Sequence, residues 1–159
     1  MLDPKIFRTI VEHTPLVSID LCLVCRGEIL LGKRNNEPLK GWWFTPGGRI
    51  QKNETWQNGL RRIALSELGL PVEDIDRFTL MGVWDHFYLN SVVDQEISTH
   101  YLNLPHYACF ETRPEIVADN QHSEFEWFGL KVVVNNEAFH TYMGNYADWL
   151  IKKRVNTDD

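Results

Sequence analysis

The stretch from Gly47 to Leu70 limits the fold more than any other part of this 159-residue chain. Trp42 to Thr45 has strand character, which breaks at Pro46-Gly47-Gly48. A polar turn, Arg49-Ile50-Gln51-Lys52-Asn53-Glu54, then leads into a helical pattern from about Thr55 to Leu68. Trp56, Leu60, Ile63, Ala64 and Glu67 share one face at three- and four-residue spacing, and Gly69 supplies the stop. Strand, glycine loop and helix therefore follow one another directly.

The remainder of the chain sets this unit in a mixed architecture. A short amphipathic helix is expected over Pro4 to Glu12, with Ile6, Phe7 and Ile10 on one face. Leu16 to Cys25 and Glu28 to Lys33 read as strands joined at Gly27, and Asn35 to Lys40 as a loop. Three further strand regions, Phe78 to Tyr88, His100 to Phe110 and Glu124 to Phe128, precede a final helix from about Ala138 to Lys153. Strands and helices do not alternate as βαβ units, so the expected class is α+β with a mixed sheet. No linker or repeat divides the chain, and residues 1–159 are expected to form one domain.

Sixteen basic against twenty-two acidic residues leave a formal net charge of −6. Binding along a nucleic-acid backbone wants a basic face, so that class is disfavoured. A small anionic ligand stays open, because a few well-placed arginines can reverse the potential locally. Cys22 and Cys25 form a C-x-x-C, but residues three apart on a strand point to opposite faces, and the only other cysteine is Cys109. Reduced packing cysteines are the simpler reading. The first residues lack the apolar core of a signal peptide, and Asp20 interrupts the longest apolar run. A soluble cytoplasmic protein without a membrane span is the expectation.

Gly48, Glu54, Arg62, Glu67, Gly69 and Leu70 stand in a register that resembles the Nudix box. That box reads Gly, five residues, Glu, seven residues, then Arg-Glu-U-x-Glu-Glu-x-Gly-U, where U is a bulky aliphatic residue. Ala64 takes the first U, and Leu30-Leu31-Gly32-Lys33-Arg34 looks like the usual approach to the box. Two positions depart: Ile63 and Ser66 stand where the box has glutamates. The same losses mark one Nudix subgroup, the GDP-mannose mannosyl hydrolases. The chain is similar to that subgroup from Thr14 to Trp127, notably at Gly48 to Thr55, Gly82 to Tyr88, Thr99-His100-Tyr101 and Gln121-His122.

The resemblance implies a Nudix fold, a mixed β-sheet sandwiched between α-helices, and a homodimer. It also implies hydrolysis of GDP-mannose or GDP-glucose to GDP and free sugar, by inverting attack of water on the anomeric carbon. Magnesium would be the cofactor, one ion per site with manganese as a substitute, held by the Gly47 carbonyl, Glu67 and Gln121. All of these are the hard oxygen donors that magnesium prefers. Arg34 and Arg49 would clamp the departing diphosphate through forked donors, and His122, with an ordinary pKa of ~6.5, would accept the water proton. Asp20, His86 and Tyr101 join the two arginines as expected substrate-binding residues. Asp20 lies in an apolar strand, where an unpaired carboxylate is costly, so it either pairs with an arginine or meets the sugar. Glu54 and Arg62 are expected to stabilise the loop by pairing. Two rivals stand beside this reading: a conventional pyrophosphohydrolase that attacks phosphorus, and a non-catalytic module that binds a nucleotide sugar.

Overall fold

A computed structural model describes residues 2–117 and 122–155, with the chain backbone alone described at His122 and Ser123. Its spine is β1 (Leu16–Cys25), which is paired along both edges. The first half of β1 runs antiparallel to β4 (Gly47–Arg49) and parallel to β7 (Thr99–Asn103). The second half pairs antiparallel with β2 (Glu28–Arg34) and parallel with β8 (His106–Phe110). Around this spine, β3 (Trp43–Phe44) and β9 (His122–Gly129) add to β2, β5 (Thr79–Leu80) to β8, and β6 (Trp84–Tyr88) to β7. The sheet is therefore mixed, as the irregular order of predicted elements requires.

Both faces of β1 are buried, which is why its sequence is apolar almost throughout. Cys22 and Val24 enter one core, against Met143, Tyr146, Ala147 and Leu150 of α5 (Thr141–Lys152). Ile19, Leu21, Leu23 and Cys25 enter the other, against Leu60, Ile63, Ala64 and Leu68 of α2 (Trp56–Leu68). Cys22 and Cys25 thus sit on opposite sides of the sheet as free thiols. Helices cover both faces, completing the α+β class.

Two predicted strands are each broken in two. The 78–88 region divides into β5 and β6 across Gly82, whose φ of 144° a side chain would rarely adopt. The 100–110 region divides at Leu104-Pro105, where Pro105 has no N–H to give to a ladder. Leu104 N instead donates to Ser18 O at 2.8 Å, and Pro105 O accepts from Met81 N at 2.8 Å. The break lets β7 and β8 follow the two halves of β1 into different parts of the sheet. The first helix, α1 (Pro4–His13), begins where expected, and the last begins three residues later than expected, at Thr141 with His140 as its cap. Two four-residue helices, α3 (Val72–Ile75) and α4 (Leu130–Val133), are too short to show a helical period in sequence. Among the described residues no helix is long and apolar enough to cross a membrane.

Candidate functional site

The glycine loop owes its composition to close backbone approach. Strand β4 lies against β1 with Asp20 opposite Gly47 and Ile19 opposite Gly48. A Cβ on Gly47 would fall 2.4 Å from Ile19 O and 2.8 Å from Asp20 Oδ1, so only glycine fits. A Cβ on Gly48 would press on Ile63 Cγ1 at 3.1 Å, because α2 packs directly beneath the loop. Thr55 caps α2 by accepting from Asn58 N at 3.2 Å, and Gly69 ends it in the left-handed region at φ 64°.

Between the loop, α1, α2 and the ends of β2, β6 and β7 lies a cleft of about 990 Å³. That is the upper end of the range for small-molecule sites and suits a ligand the size of a nucleotide sugar. Gly47, Gly48, Arg49, Lys52, Arg62 and Glu67 line its loop side; Ser18, Asp20, Arg34, Tyr88, Tyr101 and Asn103 line the sheet side. Leu2, Phe7 and Ile10 of the N-terminal segment add an apolar wall. The structure thus brings Asp20, Arg34, Gly47, Arg49, Glu67 and Tyr101 together from four separate strands and one helix.

Each of these is held by identifiable contacts. Arg34 sits past a register shift in the β2–β9 ladder, and its Nε donates to Pro38 O at 3.0 Å. Arg49 is exposed, with its guanidinium 4.1 Å from the centroid of the Phe7 ring. Glu67 is buried at 8% exposure, the last acidic group of α2. Tyr101 is pushed above the ordinary phenol pKa by burial, which Arg49 and Arg34 partly oppose, so both arginines act on it electrostatically. Asp20 finds its hydrogen bond from Tyr146 Oη at 2.6 Å, and not from an arginine. Burial raises its pKa to about 6, against the opposing effects of that hydroxyl and of Arg34.

His86 is placed differently from the expectation of a cleft residue. It is fully enclosed, stacked on Tyr142 at a centroid distance of 3.8 Å, behind the wall that Asn103 and Tyr88 present. Asn103 joins His86 Nδ1 to Ser18, with the Ser18 hydroxyl donating to its carbonyl oxygen. Burial first, then the field of His140, lowers the His86 pKa to about 3, so the ring is neutral at physiological pH. Ser18, Asn103 and Tyr88 are cleft residues that sequence reasoning passed over. A signal existed for Ser18, since it shares a strand face with Asp20 two residues on. His122 lies in β9 with its backbone opposite Arg34, and Gln121 falls outside the described residues.

Ile63 and Ser66, at the two altered box positions, take opposite environments. Ile63 is buried at 1% exposure within the helix–sheet core, whereas Ser66 is exposed. The donor set on the cleft wall fits a divalent cation: a buried carboxylate at Glu67 and the backbone carbonyl of Gly47 line the same loop side. Among the described residues no group of three or more His, Cys, Asp or Glu side chains converges.

Residues 15–150 match the family described as NUDIX domain. The low-salt glycan biosynthesis protein Agl8 of Haloferax volcanii is 39% identical over 147 residues, spanning 91% of this chain and 87% of that protein. A MutT NUDIX hydrolase of Burkholderia pseudomallei superposes with a TM-score of 0.68 at 25% identity, covering 87% of this chain and 99% of its own. The MutT protein of Methanosarcina mazei Go1 superposes with a TM-score of 0.71 at 18% identity, covering 90% and 98%.

Proposed function

The chain belongs to the NUDIX domain family, and from that premise we propose that this Nudix hydrolase cleaves a GDP-hexose, GDP-mannose or GDP-glucose, to GDP and free sugar. One observation carries the reading. A cationic wall of Arg34 and Arg49 faces the same cleft as the neutral hydrogen-bonding groups of Ser18, Tyr88, Tyr101 and Asn103, and Asp20 lines it too. The first arrangement suits a diphosphate and the second a polyhydroxylated ring. The similarity to a protein named for glycan biosynthesis supports a nucleotide sugar as the ligand class.

Attack on carbon agrees with the altered box. With Ile63 in the core and Ser66 uncharged, α2 offers Glu67 as its box carboxylate on the cleft. Leaving-group stabilisation then carries more of the reaction than activation of water by clustered metal ions. We assign Gly47, Glu67 and Gln121 as the residues that hold magnesium, which supplies charge neutralisation on the diphosphate when bound. Arg34 and Arg49 hold the diphosphate oxygens and take up the charge that grows as the glycosidic bond lengthens. Water adds to the anomeric carbon from the opposite face, the bonding pair leaves with GDP, and the water proton passes to His122. Asp20 and Tyr101 hold the sugar, while His86 supports Asn103 and Tyr88 from behind.

Hydrolysis in ¹⁸O-labelled water tests this directly. Label in the released sugar supports attack on carbon. Label in a phosphate product would sink it and return the protein to conventional pyrophosphohydrolase chemistry.

A further inference from the structure

Asp20 lies in the middle of an apolar strand, and the residue is 6% exposed. A buried carboxylate needs partners that hold it. Its hydrogen-bond donor comes from 126 residues away, the hydroxyl of Tyr146, at 2.6 Å from Oδ2. Tyr146 is itself fully buried on α5. The ring of Trp84 meets it edge-on at 5.1 Å, and that of His86 lies at 5.5 Å. Burial, reinforced by the charge of Asp20, keeps this phenol protonated, so the hydroxyl is a permanent donor. The second carboxylate oxygen, Oδ1, lies over Gly47 on the cleft floor, 2.8 Å from where a Cβ would stand.

One oxygen is therefore held from behind, while the other is turned toward the cleft. The terminal torsion of aspartate is broad, so nothing intrinsic to the side chain selects this orientation. Without the hydroxyl, the carboxylate would lose the hydrogen bond that fixes Oδ2 and be left to the field of Arg34, which already acts on it. We propose that Tyr146 is a positioning residue, whose hydroxyl fixes Asp20 so that Oδ1 meets a hydroxyl group of the bound sugar. The inference rests on the assignment of Asp20 to the sugar. It makes α5, which lies outside the Nudix box, part of the specificity apparatus.

Tyr146→Phe removes the hydroxyl and keeps the ring. With GDP-mannose and magnesium, kcat/KM is expected to fall roughly 10- to 100-fold, the range for losing a hydrogen bond to a charged group. Inhibition by GDP, which lacks the hexose, is expected to stay unchanged. In an Asp20→Ala background the same change should alter kcat/KM by less than about twofold, because both substitutions remove one interaction. Multiplicative losses in the double variant would overturn the inference, as would equal weakening of GDP. Trp84→Phe disturbs the same packing but spares the hydroxyl, and a loss there matching that of Tyr146→Phe would also overturn it. Full activity in Asp20→Ala overturns the assignment of Asp20 and the inference with it. A wild type inert toward GDP-hexoses overturns the function itself, which thermal unfolding of each variant separates from loss of fold.

Discussion

Arg62 grips Glu54 with two donors, Nε at 2.7 Å from Oε1 and Nη2 at 2.9 Å from Oε2. The same Nη2 lies 2.8 Å from the Arg49 carbonyl, and Glu54 Oε2 accepts from Gln51 N at 2.9 Å. One ion pair thus ties both ends of the 49–54 turn to α2. This closure adds to the pairing of Arg49 with Ser18 in the β1–β4 ladder, and both members of the ion pair are occupied by it. The pairing expected from sequence is present, with the added feature that it grips backbone.

Glu54→Gln should therefore act on stability before chemistry. The Arg62 hydrogen bond, offset in part by desolvation, lowers the Glu54 pKa from 4.5 to about 2. A carboxylate with a depressed native pKa contributes stability above its unfolded value, and loses it as pH falls toward the native value. The contribution is whole above pH 4.5 and gone near pH 2. Solvent around the half-exposed guanidinium screens the pair, so the variant should lose about 1 kcal/mol at pH 7. Thermal unfolding between pH 5 and 2 should show a shallower decline than in wild type. Parallel curves would show that Glu54 is not the titrating group.

His86 gives a second test of the same sign, in a higher pH window. Its native pKa of about 3 lies below the ordinary 6.5, so between these values the unfolded chain binds a proton that the native state refuses. Stability must then fall as pH drops from 6.5 toward 3. His140 at the cap of α5, Tyr142 and Tyr146 within it, Asp85 and Tyr88 of β6, and Asn103 of β7 face or flank this ring. His86→Phe keeps a stacking ring and removes the proton site, so its stability should depend less on pH between 6.5 and 5. It should also cost roughly 1–3 kcal/mol at neutral pH, because Asn103 loses its acceptor. Urea unfolding at pH 7.5 and 5.5 distinguishes the two effects.

Much of the fold was legible because its cause is local. The span of β1, the Gly69 stop of α2 and the opposed faces of Cys22 and Cys25 follow from periodicity and backbone preference. The box residues Gly48 and Glu67 were legible for the same reason: a loop and the helix after it fix their relative place. Tyr146 was not. Its aromatic spacing on α5 announces only a buried face, and its tie to Asp20 spans a distance that no local pattern encodes. Asn103 escaped likewise, since its polarity inside β7 gains meaning only when β7 lies parallel to β1 with Asn103 opposite Ser18. The breaks at Gly82 and Pro105 are local events, but they are needed because β7 and β8 track different halves of β1.

Glu67→Gln should separate metal binding from turnover. The amide retains shape and one oxygen but removes the charge, so the magnesium concentration for half-maximal activity should rise at least roughly 10-fold. Binding of manganese, followed by electron paramagnetic resonance, should weaken in parallel. An unchanged magnesium titration would exclude Glu67 as a ligand.

His122→Gln addresses the proton acceptor. Loss of a general base should lower kcat by roughly 10²–10⁴-fold while leaving magnesium binding in place. Near-wild-type kcat would assign water activation to another group.

The altered box positions yield a prediction that motif comparison alone would invert. Restoring the two missing glutamates by Ile63→Glu and Ser66→Glu looks like repair of a conventional site. The structure separates them. Ile63 is 1% exposed, packs beneath Gly48 and belongs to the core between α2 and the sheet. A carboxylate there would have to be desolvated without a partner or force the loop off the helix, so a loss of at least about 3 kcal/mol is expected. Ser66 is exposed on the same helix one turn away, where its hydroxyl makes only a 3.3 Å bond to Ile63 O. Glutamate at 66 should fold with little change in Tm and add a carboxylate near the cleft. Chemical denaturation of the two single variants should therefore diverge sharply, with Ile63→Glu unfolding early and Ser66→Glu following wild type. Equal stability of the two would mean that Ile63 does not hold the loop to the helix.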